Sequence, residues 1–380
     1  MIKFLNHLKY FKTNQLWNLY RPIVFSKNDV SSFDNKRVRN IYEGNHGNNY
    51  NNYWNHFVGY KKILLCGTLL LSIKEFFENE SIKLDDDPLK DMVKQSWLHT
   101  KRKKYDLAIS ILHRALKLAH DQKNEMIKTR IYLEMGDVYS LSNDDNAEDL
   151  YKLVLQRLST LHNISNSHPS YITTSIKLAS VLGDKGNIHD ADVGFKHCIT
   201  KQKENINKIE KELNGEINNE ILNAKALYGY ALNAYSHFLV KNGGDKLMNE
   251  AQSYINDAIE LSNEIYGENS QSTLHLINNF AAVCIMNNYF DIAKKYLEEA
   301  IKSIEKNKEI EEIVIGMYCN LAEALYHTGN SREAGNFARK AIISSKKLSK
   351  NVHSFALSYG EELRNTMKKD HRYEKKWFFF

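Results

Sequence analysis

Residues Thr273–Lys306 read TLHLINNFAAVCIMNNYFDIAKKYLEEAIKSIEK, two amphipathic segments joined by a short polar turn. Leu276, Ile277, Phe280, Val283 and Cys284 recur at helical spacing in the first segment. Ile292, Ala293, Leu297, Ala300 and Ile301 do so in the second, and Asn287-Asn288 lies between. Ala281, Ala293 and Ala300 stand at intervals of 12 and 7. A small side chain at each point lets two antiparallel helices approach closely, because a larger one holds their axes apart.

The same intervals recur at Ala322, Ala334 and Ala341, at Ala179, Ala191 and Cys198, and at Ser96, Ala108 and Ala115. Two further sets fit less closely. Gly136 stands 11 residues before Ala147, with Val154 following. Ala251 and Ala258 keep the second helix of another pair, whose first helix is displaced by an insertion around Asn242-Gly243-Gly244. The central small residue falls at 108, 147, 191, 251, 293 and 334. Two helices per period of this length predict an all-α, right-handed solenoid of about six helix pairs. Val352 to Met367 is expected to form a C-terminal capping helix.

The pattern resembles the tetratricopeptide repeat family. Met135-Gly136-Asp137-Val138-Tyr139 matches that family's Leu-Gly-x-x-Tyr core. Ala147 with Tyr151, Ala191 with Phe195 and Ala293 with Leu297 match its second-helix signature. The resemblance covers residues 88–348.

Charge is unevenly placed in this chain of formal net charge +6: residues 1–60 hold eight Lys/Arg against three Asp/Glu, and the remainder averages near neutrality. That average gives no support to a nucleic-acid-binding stripe on the repeats. Residues 1–28 contain no acid and intersperse Lys3, Lys9, Lys12, Arg21 and Lys27 with Phe4, Leu8, Phe11, Leu16 and Leu19. This reads as a mitochondrial targeting segment, which a membrane potential would draw inward. The polar remainder of residues 1–56 reads as a mostly disordered linker. Residues 57–77 form a short apolar helix in this reading. The uncharged core, Ile63–Ile73, is only 11 residues, short of the ~20 that span a bilayer; it is a candidate membrane anchor if its flanking lysines snorkel. Residues 349–380 supply the cap and a tail ending Trp377-Phe378-Phe379-Phe380.

Asp85-Asp86-Asp87-Pro88 is a strong helix start. Thr200 to Asn223 reads as an extension of the neighbouring helices, with Gly215 as its break. The lead-ins Ser167-His168-Pro169-Ser170 and Gly267-Glu268-Asn269-Ser270 resemble those of the roughly 42-residue repeats of kinesin light chains and of the family of tetratricopeptide repeat protein 19. A targeting segment, a short apolar segment and then such repeats are most similar to the latter. That resemblance implies a mitochondrial inner-membrane factor that binds respiratory complex III and helps clear fragments of its Rieske iron–sulfur subunit. The alternative is a soluble kinesin-light-chain-like cargo adaptor or a generic peptide-binding repeat protein. Residues 1–87 lack the heptad coiled coil that the adaptor resemblance requires.

No zinc-protease, nucleophile-elbow or phosphate-loop motif occurs, so no catalytic, cofactor-binding or metal site is assigned and no enzyme is expected. His113 and His120 share a helix but lack an evident third ligand. Gly183-Asp184-Lys185-Gly186-Asn187 falls in a turn. Cys66, Cys198, Cys284 and Cys319 form no C-x-x-C pair and read as buried thiols. A protein partner is therefore expected, held against the first helices of the pairs. Lys177, Asn279 and Asn320, each two residues before a small one, are the groove candidates. An asparagine there offers an extended peptide both a donor and an acceptor.

Overall fold

The computed structural model describes residues 88–213, 218–304 and 312–369. The targeting segment, linker, apolar segment, Asp85–Asp87, Gly215 and the aromatic tail lie outside the described residues. Thirteen helices and no strand occur among the described residues. In order they are α1 (Pro88–Lys101), α2 (Tyr105–Asp121), α3 (Glu125–Ser142), α4 (Asn146–Thr160), α5 (Pro169–Asp184), α6 (Ile188–Leu213), α7 (Asn219–Asn242), α8 (Gly244–Tyr266), α9 (Gln271–Met286), α10 (Phe290–Ile304), α11 (Glu312–His327), α12 (Ser331–Ser345) and α13 (Lys350–Lys369). Six pairs and a last helix follow one another, as the sequence pattern predicts. Among the described residues, those up to Ile265 form one compact unit and those from Tyr266 a second.

The helices begin where the sequence supplies caps. Asn124 Oδ1 accepts from Ile127 N at 3.1 Å, Asn218 Oδ1 from Glu220 N and Ile221 N, and Ser270 Oγ from Thr273 N. Each satisfies backbone donors that the first turn leaves unpaired. Pro88 opens α1 and Pro169 opens α5, where the missing N–H costs nothing.

The turns within the pairs share one device. Lys103, Asn143, Gly186, Asn288 and Gly329 all adopt positive φ. In each, the next residue's N–H reaches back five residues: Lys104 to His99 O, Asp144 to Tyr139 O, Asn187 to Leu182 O, Tyr289 to Cys284 O and Asn330 to Leu325 O, at 2.8–2.9 Å. One left-handed residue closes the first helix and reverses the chain. The fourth pair departs from this. Gly243 N bonds Leu239 O, and α8 begins at Gly244 (φ 59) without a spacer. A Cβ at Gly243 would stand 2.6 Å from Leu247 Cβ, so that corner has no room for another residue type. Lys103 (φ 58) carries the left-handed turn without glycine's freedom. Lys103→Gly is expected to stabilise the first pair by about 0.5 kcal/mol, the relief of strain less the entropy gained by the unfolded chain. A thermal melt of the full chain checks it.

The core lies between the two helices of each pair and, within each unit, between neighbouring pairs. Ala108, Ala147, Ala179, Ala191, Ala251, Ala281, Ala293, Ala322 and Ala334 are all buried. Between α5 and α6 the approach is close enough to measure: a Cβ on Gly194 would lie 3.1 Å from Ala179 Cβ. Large side chains fill the adjoining layers. Phe195, Tyr235 and Phe238 cluster with ring centroids 5.3–6.0 Å apart, and Phe280 meets Tyr296 edge-on at 5.0 Å. The displaced fourth pair finds its small residue at Ser236, whose hydroxyl donates to Ala251 O at 2.8 Å. The sequence intervals miss it because the insertion moves it three positions and it is not alanine.

Helices α6, α7 and α8 run 26, 24 and 23 residues, well beyond α5 or α9. Ile206, Ile209, Ile221 and Ala224 seal the extension with Tyr228. Gln202 Nε2 caps Ala224 O at 2.9 Å, and Lys225 bridges Glu210 and Glu264. This is the charged run of the sequence, with Ile206, Ile209 and Ile221 turned inward.

Desolvation sets the titration of the buried groups. It pushes the Cys198 thiol up to about 12 and holds the Cys284 and Cys319 thiols above their usual range, so all three stay protonated and unreactive. It pushes the His237 imidazole down to about 3, with Lys241 adding to the effect, and that of His275 down to about 4. A neutral imidazole is thus favoured in the fold, and the unfolded chain binds more protons below about pH 6.5. Stability contributed by these residues is complete above that value and is lost as pH falls toward the folded values. Lowering pH from 7 to 5 is expected to cost about 1–2 kcal/mol at His275, its partial exposure lowering the figure. His275→Gln should flatten that part of the stability profile measured by denaturant titration.

Candidate protein-binding face

Alternate helices of the stack are joined by polar rungs. Trp97 Nε1 of α1 donates to Glu134 Oε2 of α3 at 2.8 Å. Lys177 Nζ of α5 reaches both oxygens of Asp137 on α3 at 2.6 and 2.7 Å. Lys241 of α7 pairs with Asp184, the last residue of α5, at 2.6 Å. In the second unit, Asn320 Nδ2 of α11 donates to Asn278 Oδ1 of α9 at 2.8 Å. Tyr359 OH of α13 donates to Glu323 Oε2 of α11 at 3.1 Å.

These rungs decide what the groove candidates can do. Lys177 is committed to Asp137 and its side chain is only 12% exposed. Asn320 is fully buried and bonded to Asn278. Asn279 keeps part of its surface in solvent. The position two before the small residue therefore serves the next repeat in two of the three cases. The physical reason is the repeat length: a residue on one first helix meets its counterpart on the next, about 40 residues away, and a polar group there finds a polar partner before it finds water. The Asn278–Asn320 pair spends one donor and one acceptor. Asn278 Nδ2 and Asn320 Oδ1 remain without a protein partner. One donor beside one acceptor, both buried, matches what a bridging water offers.

The acids at the rungs escape a search for alanine intervals. Asp137 follows Gly136 and Glu323 follows Ala322, so an acid next to a first-helix small residue was the signal available. Asp137 also accepts from Tyr151 OH at 2.8 Å. Burial, together with Asp137, holds that phenol well above its ordinary range. Glu323 is 1% exposed and is flanked by His327 at 3.2 Å, which stacks on Phe290 at 4.2 Å. Burial, with the Glu323 charge beside it, raises the carboxyl of Glu362.

No group of three or more His, Cys, Asp or Glu capable of holding a metal occurs among the described residues. His113 and His120 are exposed on α2. No described helix is long and apolar enough to cross a membrane.

No family model matches the chain. It is similar to tetratricopeptide repeat protein 19, mitochondrial, of Homo sapiens, 28% identical over 258 residues, which cover 67% of this chain and 66% of the human protein. The Mus musculus protein of the same name is 27% identical over 254 residues, covering 66% of this chain and 67% of that one. The chain thus matches about two thirds of the length of these relatives. Among solved structures, TPR-like repeats of kinesin-light-chain type from Podosopora anserina overlay 70% of this chain and 100% of theirs, at 12% identity and a TM-score of 0.38. The chain is an all-α protein of successive helix pairs, similar over two thirds of its length to relatives named tetratricopeptide repeat protein 19, mitochondrial.

Proposed function

We propose that this chain is a non-enzymatic, protein-binding repeat scaffold of mitochondria, and that it serves the assembly or maintenance of respiratory complex III at the inner membrane. The observation that carries this reading is the similarity of two thirds of the chain to relatives named mitochondrial. Three features of the fold support it. The buried thiols are held protonated, polar side chains are spent on rungs between helices, and the turns are occupied by short reversals. The groups left to a partner are amide and hydroxyl functions on helix faces, which suit an extended peptide. Asn279, which keeps part of its surface in solvent, is the contact proposed for it. The basic, acid-free residues 1–28 would direct import, and residues 57–77 would hold the chain to the membrane. Complex III and fragments of its Rieske subunit are the partners that the resemblance suggests.

Affinity purification of the tagged chain from intact mitochondria tests the proposal. Complex III subunits should co-purify. Recovery of the chain in the cytosol, or from mitochondria without any complex III subunit, would contradict it.

A further inference from the structure

The near-neutral average of the repeat body conceals one helix of nearly single sign. Residues 331–350, which are α12 and the turn after it, hold six Lys/Arg against one acid, Glu333. Arg332, Arg339, Lys346, Lys347 and Lys350 are exposed. Lys340 is held against the stack, its ammonium 4.9 Å from the ring centre of Tyr318 and 5.7 Å from that of Phe337. Helix α12 packs against α11 and α13. No charged residue of α11 is exposed, and α13 adds exposed Glu361 and Lys368. The exposed charges of residues 312–368 are therefore six cations against two acids. On α10, the second helix of the preceding pair, exposed Asp291, Glu298 and Glu299 roughly balance Lys295 and Lys302. The positive charge thus belongs to α12 and its turn.

The period of the helix puts these cations on one side. Ser331, Ala334, Gly335, Ala338, Ala341 and Ser345 are buried. Arg332, Asn336, Arg339, Ile343 and Lys346 follow one another at four- and three-residue steps on the opposite side, and Lys347 and Lys350 lie exposed in the turn. Glu333 stands in the first turn, where the helix dipole favours an acid. Glu312 is the acid bonded to the turn: it is part-buried and accepts from Ser349 Oγ at 3.0 Å. Lys346, Lys347 and Lys350 form no ion pair with a described residue. Ile343, 57% exposed, stands between Arg339 and Lys346. Fifteen residues of helix set these groups along about 22 Å.

We propose that the solvent face of α12, with the turn at Lys346–Lys350, docks on an anionic phospholipid surface. Charge complementarity argues for an anionic occupant, and the amount of exposed apolar surface decides which one. A stable protein interface buries about 800 Å² on each partner around an apolar core. Among the described residues, the second unit exposes two large apolar side chains, Ile343 and Leu357. An acidic protein would find there a charged rim without a centre. A bilayer requires no such core. Its phosphates rearrange around each cation, while Ile343 enters the headgroup layer between Arg339 and Lys346. The inference stands on the residues of α12 and is independent of the protein partner, and of the role of residues 57–77, proposed above.

The test uses the full chain and vesicles of phosphatidylcholine, with or without about one part in three phosphatidylserine. Co-sedimentation with the anionic vesicles is expected, weakening strongly between about 50 and 300 mM salt as screening shortens. Because the basic N-terminal segment also contributes, the deciding comparison is between variants. The triple variant Lys346→Glu, Lys347→Glu, Lys350→Glu should lose at least about thirty-fold in vesicle partitioning, since each surface cation contributes roughly five-fold. The charge-matched control Arg102→Glu, Arg114→Glu, Lys117→Glu lies in the first pair, where exposed Asp106 and Asp121 oppose the cations, and should lose far less. Ile343→Asn, which leaves the charge unaltered, should lose about five-fold, the effect of one part-exposed aliphatic side chain no longer leaving water. Lys346→Arg with Lys347→Arg should retain binding. Should the triple variant not fold, Lys347→Glu alone is expected to lose about five-fold. Equal losses in the triple variant and its control, no loss at Lys347→Glu, or no loss at Ile343→Asn would each overturn the proposal. So would capture of a poly-glutamate peptide by a chain that ignores the vesicles.

Discussion

Asp137→Ala should lower the stability of the first unit by about 2–3 kcal/mol. Asp137 is where two helices beyond its own are tied to α3. Its Oδ1 accepts from Tyr151 OH of α4, and both of its oxygens accept from Lys177 of α5. Tyr151 is 2% exposed, and when the acceptor goes its hydroxyl keeps, among the described residues, only Ser140 as a side-chain partner. Lys177, with a side chain 12% exposed, would keep a charge that nothing nearby neutralises. Losing the charged acceptor of a buried hydroxyl costs about 1–3 kcal/mol and an unpaired buried charge more. The Asp137 carboxylate is itself 32% exposed, so screening places the sum in the lower part of that range. Lys177→Met should cost less, about 1 kcal/mol, because Asp137 still accepts from Tyr151. Lys152→Met, which removes the surface pair to Glu148, should change stability by no more than about 0.5 kcal/mol. Denaturant midpoints of the three variants give the ranking. Equal effects would mean that the rung carries nothing beyond a surface charge.

The fold is legible in the chain because one constraint repeats. Wherever two helices must approach closely, a small side chain is favoured, and residues such as Ala179, Ala191, Ala281 and Ala293 show it without reference to anything distant. The intervals weaken where the closing residue is polar or shifted. Ser236 fills the small position of the displaced pair and is recognisable only once α7 is seen to lie against Ala251. The face proposed for a partner is less legible. Lys177 and Asn320 have the polar character of groove residues, and each is spent on a neighbour 40 or 42 positions away. Sequence periodicity places them at equivalent positions, but pairing depends on what occupies the next repeat. Asp137 and Glu323 were hidden for the same reason.

Substituting Ala179 by leucine probes the close contact itself. Ala179 is 2% exposed on α5, and the position of a Cβ on Gly194 of α6 lies 3.1 Å from its Cβ. Even one carbon added on Gly194 would crowd Ala179, and the facing residue has no side chain to move aside. Three added carbons can be housed only by shifting α5 from α6 or by straining the leucine, and overpacking of this kind costs about 1–3 kcal/mol. A shift would also disturb Ile172, Ile176 and Phe195, all buried on the same two helices. Leucine is a good helix former, so helix propensity does not explain a loss. Val193, next to Gly194 but 54% exposed, supplies the control: Val193→Leu adds volume to the same helix on its outer side. The deciding measurement is the unfolding midpoint of Ala179→Leu beside that of Val193→Leu, in the full chain under identical conditions. A lower midpoint for the first, with the second unchanged, is the expected result. A midpoint for Ala179→Leu equal to that of the native chain would contradict a stack held together by close approach at its smallest residues.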